Sequence, residues 1–144
     1  GMSKQLTPFI AKLRDAGIRV SLFIAPEKIQ IDAAKHLQAD IVELHTGTYA
    51  ELFPHRNMKQ NEWQQHMANL YFSADYAHQC GLEVHAGHGL NFENVAAIAA
   101  LPHMRELNIG HFLMGEAIFT GLSDAVKKMR LEIAAGVALT DQYY

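Results

Sequence analysis

Hydrophobic positions along the chain follow two alternating rhythms. In KQLTPFIAKLRD at 4–15 the apolar residues recur at helical spacing, and Ala16 and Gly17 supply a stop, so a helix is predicted there. IRVSLFI at 18–24 is short, β-branched and aromatic, which predicts a buried strand. Pro26 then stands where the first turn of a helix tolerates it, and EKIQIDAAKHLQ carries that helix to about residue 38. DIVELHTG at 40–47 predicts the second strand, 48–60 a loop, and NEWQQHMANLYFSADYAHQC at 61–80 a long amphipathic helix stopped by Gly81. LEVHAGHG at 82–89 predicts a third strand followed by a helix from about 91 to 101. ELNIGHFLM at 106–114 predicts a fourth, followed by a helix from about 116 to 135. Four strand–helix units without a hairpin signal imply an α/β fold with a parallel sheet.

The parity of the strands says which side chains meet. In the second strand Ile41, Glu43 and His45 share one face, and Val42 and Leu44 share the other, which suits contact with covering helices. The polar face then points inward, and in a parallel barrel the inward residues near the carboxyl ends of the strands line the active site. Glu43, His45, His88 and Asn108 are expected to converge there. Glu43 has a plain alternative as a buried carboxylate paired with a lysine or arginine. His88 lies between Gly87 and Gly89 at the end of an apolar strand, where an imidazole can donate or accept a proton near neutrality. Its plain alternative is a hydrogen-bonded structural group. Gly89 with Asn91 and Gly110 with His111 each precede a helix whose unpaired N–H groups suit a phosphate.

Composition narrows the function classes. With 144 residues, 49% of them hydrophobic, the chain has enough material for one domain, residues 1–144, with a core. It is shorter than the roughly 250 residues of a complete (β/α)8 barrel. A net charge of −3 with scattered Lys and Arg argues against a nucleic-acid partner, and no apolar run approaches the roughly 18 residues of a membrane span. The single cysteine, Cys80, cannot form an internal disulfide, and no signal peptide precedes the pattern, so a cytoplasmic address is expected. Gly1 before Met2 reads as a tag remnant. Nine histidines raise the question of a metal, but His85 and His88 are three apart on a strand, a spacing that does not chelate one ion. No metal is expected.

The blocks GIRVSLFI (17–24), VELHTGTYA (42–50), GLEVHAGHGLNFENV (81–95) and LNIGHFLMGEAIFTGLSDAV (107–126) together resemble the C-terminal half of the pyridoxine 5′-phosphate synthase family. The resemblance covers almost the whole chain and implies a parallel (βα)4 half of a TIM (β/α)8 barrel, units five to eight. The family it resembles condenses 1-deoxy-D-xylulose 5-phosphate with 3-amino-2-oxopropyl phosphate in vitamin B6 biosynthesis, and no metal or organic cofactor is implied. By that resemblance His88 is the proton donor and Glu43 a stabiliser of the transition state. Gly89, Gly110 and His111 correspond to contacts of the aminooxopropyl phosphate. Three positions depart from the family pattern: His85 stands where asparagine is usual, Ala25 where aspartate is frequent, and Glu116 where arginine is common. The general base, a second catalytic glutamate and the deoxyxylulose phosphate site are implied to lie in the four units that this sequence does not contain.

The expected function is therefore that of a fragment or truncated copy of the synthase, acting on phosphorylated small molecules. The alternatives are a non-catalytic half-barrel that binds a phosphorylated ligand, and a different isomerase or aldolase activity on a homodimeric barrel. Four strands cut from an eight-stranded barrel leave two open edges, so a homo-oligomer is expected.

Overall fold

The computed structural model describes residues 2–53 and 59–140, and the expected tag remnant Gly1 lies outside them. Helix α1 (Met2–Asp15) leads to strand β1 (Ser21–Ile24), helix α2 (Lys28–His36), strand β2 (Ile41–His45) and the short helix α3 (Gly47–Leu52). The long helix α4 (Gln60–Gln79), strand β3 (Glu83–Gly87), helix α5 (Val95–Ala99) and strand β4 (Met104–Asn108) follow, and α6 (His111–Thr120) and α7 (Leu122–Thr140) complete the order. The four strands form one sheet in the order β1-β2-β3-β4, and every pair is parallel. This is the expected α/β half-barrel, with the strands in sequence order.

The core lies between one face of the sheet and the helices. Val42, Leu44, Val84 and Ala86 point to that side, and Ile31 of α2, Leu70, Ala74 and Ala77 of α4, and Val95 and Ile98 of α5 close over them. α5 packs so tightly on α7 that a Cβ at Gly136 would run into the carbonyl oxygen of Ala96, which makes glycine a packing requirement there. The opposite face carries Phe23 on β1, Ile41, Glu43 and His45 on β2, and Glu83, His85 and Gly87 on β3, with Glu106 and Asn108 of β4 in register beside them. The parity read from IVELH is the parity found.

Four element boundaries differ from expectation. The strand expected at 106–114 occupies Met104–Asn108, and HFLM opens α6 instead. A continuous apolar run does not by itself separate strand from helix, and α6 lacks the usual amphipathic signature because none of its residues is buried. Gly121, at φ +81°, breaks what was expected as one helix into α6 and α7. The loop expected from 48 begins instead as helix α3, pinned by Tyr49, which is 1% exposed; residues 54–58 of that expected loop lie outside the described residues. β1 is also shorter than the run at 18–24, because the N–H of Val20 donates to Oδ2 of Asp40 (2.8 Å) rather than entering the ladder.

Candidate active site

The carboxyl ends of β2, β3 and β4 open onto one cavity of about 700 Å³. Glu43, His88, Gly89, Gly110 and His111, the five residues assigned to the site from sequence, all line it, together with Phe23 and Asn108. Glu43 reaches the cavity from the middle of β2 because Gly87 beside it has no side chain. A Cβ at Gly87 would overlap Oε1 of Glu43 and stand 2.9 Å from the carbonyl oxygen of Asn108. That glycine is thus a clearance for a carboxylate.

His88 follows the last residue of β3 with φ at +85°, a conformation that costs a non-glycine residue about 1–2 kcal/mol and persists only where the surroundings over-determine it. Those surroundings are specific. The hydroxyl of Thr46 donates into the pair of carbonyls of Gly87 and His88, at 2.7 and 2.6 Å, and the N–H of Thr46 donates to Gly87 at 2.8 Å. One turn further, Asn94 donates through Nδ2 to the carbonyl of Gly89 (3.2 Å), and the hydroxyl of Tyr49 donates to the carbonyl of Asn94 (2.7 Å). The loop from 88 to 94 is therefore tied to β2 and α3 by side chains that are themselves buried. Gly89, at φ +78°, lies against α3, where a Cβ would come within 2.7 Å of that of Ala50.

The two anion-suited turns are not equivalent. Before α5, the Oδ1 of Asn91 accepts from the N–H groups of Glu93 (2.9 Å) and Asn94 (3.1 Å), and the Oδ1 of Asn94 accepts from the N–H of Asn91 (2.8 Å). The donors expected to await a phosphate on that turn are thus engaged internally. At the other turn Gly110 precedes α6 with no side-chain cap on the first N–H groups, and α6 is ten residues long. Uncapped N–H groups with a helix dipole behind them are the better suited of the two to an anion, and Gly110 and His111 line the same cavity as His88.

Along the inner face, away from the cavity, runs a chain of polar contacts. Arg19 donates through Nη2 to Oε2 of Glu83 at 2.9 Å, Oε1 of Glu83 meets Nε2 of His85 at 2.8 Å, and Nδ1 of His85 lies 3.8 Å from Oε1 of Glu106. The hydrogen bond from Arg19, and after it the one to His85, holds the Glu83 carboxyl below the usual glutamate range. His85 is accordingly a hydrogen-bond partner of Glu83 on the inner face of the sheet, and it does not line the cavity.

Sequence reasoning left several contributors unassigned. Phe23 reads as strand core, yet it is 54% exposed on the inner face and forms a wall of the cavity. Its parity with Glu43, to which it is paired in register, is the signal that identifies it. Thr46 carries no such signal, because its partners lie 41 and 42 positions away, whereas the Asn94 side chain bonds Gly89 and Asn91 within its own loop.

Comparison with known proteins gives a consistent result. The family model for the pyridoxal phosphate biosynthesis protein PdxJ matches residues 1–135. The pyridoxine 5′-phosphate synthase of Jannaschia sp. (strain CCS1) is 49% identical over 135 residues, covering 94% of this chain and 54% of that protein. That of Xanthobacter autotrophicus is 51% identical over 138 residues, covering 96% and 53%. That of Zymomonas mobilis is 52% identical over 130 residues, covering 90% and 48%. The chain spans about half the length of the curated relatives it matches.

Proposed function

This chain belongs to the PdxJ family of pyridoxal phosphate biosynthesis proteins, and on that premise we propose that it supplies units five to eight of a pyridoxine 5′-phosphate synthase barrel. In this reading it carries the site for 3-amino-2-oxopropyl phosphate and the acid that assists its condensation with 1-deoxy-D-xylulose 5-phosphate. The observation that carries the proposal is the shared cavity, which Glu43, His88, Gly110 and His111 line together.

The chemistry follows from those positions. The phosphate of the amine substrate rests on the N–H groups at the start of α6, with Gly89 and His111 beside it. Fixing that end holds the reacting carbons against His88, which protonates a hydroxyl as it leaves during ring closure. Glu43, directed into the same cavity past Gly87, stabilises positive charge that develops on the amine-derived nitrogen in the transition state.

Other parts of the reading concern the surroundings. Among the described residues no helix is long and apolar enough to cross a membrane; a cytoplasmic location and the absence of a membrane partner belong to the proposal. Phe9 and Leu13 on α1 and Ile18 before β1 are exposed, and Ile118, Phe119 and Leu122 are exposed on the helices after β4. Apolar surface on both flanks supports self-association of the chain when it is alone, measurable by light scattering at micromolar concentration. A stable monomer would contradict it.

The decisive experiment is a chimera in which this chain replaces the matched half of the Zymomonas mobilis relative. The chimera is expected to form pyridoxine 5′-phosphate, the isolated chain to form none, and His88→Ala in the chimera to lower turnover by ~100-fold or more. Turnover by the isolated chain, or a fully active His88→Ala chimera, would refute the proposal.

A further inference from the structure

His45 shares the inner face with Glu43 but does not line the main cavity; it borders a separate hollow of about 160 Å³ with His66 and Asn69. Its ring nevertheless lies against that of His88, with centroids 4.7 Å apart and planes 23° from parallel. Phe23 closes on both rings, at 5.0 Å from His45 and 6.4 Å from His88. The imidazole of His88 thus has a flat wall behind it and the cavity in front.

We propose that His45, with Thr46 and Gly47, is a positioning device that sets the ring of His88. The three consecutive residues each do one part. His45 supplies the flat surface. Its Nδ1 accepts from the N–H of Gly47 at 3.2 Å, so the ring proton resides on Nε2 and the ring cannot turn over without losing that bond. Thr46 holds the carbonyls of Gly87 and His88 and so fixes the strained backbone from which the His88 ring projects. Gly47 leaves room for the stack, since a Cβ there would collide with Cε1 of His45 and stand 3.1 Å from Cδ2 of His88.

The physical reason for such a device lies in His88 itself. A residue just past the end of a strand, between two glycines, has little local packing to select one rotamer. An acid must meet its proton acceptor within hydrogen-bond reach, and a displacement near 1 Å can cost on the order of a hundredfold in rate. A flat ring carried on the adjacent strand restricts the imidazole to a plane without occupying the substrate's side of it. His45 acts through His88 and touches no substrate.

This inference rests on the proposed role of His88, and it is tested by two measurements that fail separately. In the 144-residue chain, NMR is expected to show ring-to-ring cross-relaxation between His45 and His88 and a single χ1 for His88. His45→Ala should average that χ1, whereas His45→Phe, which keeps a flat ring, should preserve it. Gly47→Ala should reproduce the His45→Ala result with His45 still present. In the chimera, His45→Ala should lower kcat by about 10- to 100-fold with KM within about twofold, and His45→Phe should recover most of the loss. An unchanged χ1 in His45→Ala, or a Phe variant indistinguishable from Ala, would overturn the proposal. A chimera without turnover would refute the catalytic reading and leave the NMR result to decide the positioning role.

Discussion

Gly89→Ala isolates the close approach of the β3–α5 loop to α3. The substitution has two separable effects. At φ +78° an alanine takes on the left-handed penalty of about 1–2 kcal/mol. Its Cβ also lands 2.7 Å from that of Ala50, a methyl fixed to the backbone of α3 that cannot swing aside. Overpacking of this kind costs about 1–3 kcal/mol, so the total loss is expected at about 2–5 kcal/mol. Gly17 provides the control, because its φ of +74° is nearly the same and a Cβ there would meet nothing within 4 Å. Gly17→Ala should therefore lose only the first part. Urea unfolding followed by the fluorescence of Trp63, the single tryptophan, measures both. Adding Ala50→Gly relieves the overlap at a cost of about 1 kcal/mol in helix propensity. The double variant should then be more stable than the sum of the two single losses by about 1–3 kcal/mol. Losses that add within about 0.5 kcal/mol, or a Gly89→Ala no worse than Gly17→Ala, would refute the steric argument.

Three further outcomes follow from the structure. Leu44→Ala removes a fully buried side chain from the sheet–helix core and should cost about 2–5 kcal/mol in urea unfolding; a loss under 1 kcal/mol would mean that the core there is not closed. Thr46→Val strips the hydroxyl from the carbonyl of His88 and should cost about 1–3 kcal/mol, with a neutral result showing that this bond does not hold the turn. The folded Glu83 carboxyl lies below the ordinary value of about 4.3, chiefly through Arg19, so its contribution is present above that value and is lost as pH falls through the folded one. Stability should accordingly fall more between pH 6 and pH 3 in the native chain than in Glu83→Gln, and equal falls would remove the ion pair from the account.

What the sequence determined by itself is what depends on neighbours along the chain. Alternation in IVELH places Glu43 inside and Leu44 outside because successive strand side chains point to opposite faces whatever the rest of the molecule does. Gly-His-Gly leaves an imidazole at a strand end for an equally local reason. The four-block resemblance carries the family, and with it the half-barrel, in the sequence alone. The tertiary structure decided what depends on residues far apart. HFLM was expected as strand and is helix, because a continuous apolar run satisfies both periods and only the parallel ladder ending at Asn108 separates them. α3 became a helix through the contact of Tyr49 with Asn94, 45 positions away. The Asn91 turn lost its free donors to its own side chain, a choice among local hydrogen-bond partners that composition does not rank. Thr46 reaches carbonyls 41 and 42 positions distant, and His45 meets His88 across strands. Chain-local periodicity brought each chemical group to the right end of its strand, but the orientation of the groups toward one another is a property of packing between strands, which no single strand encodes.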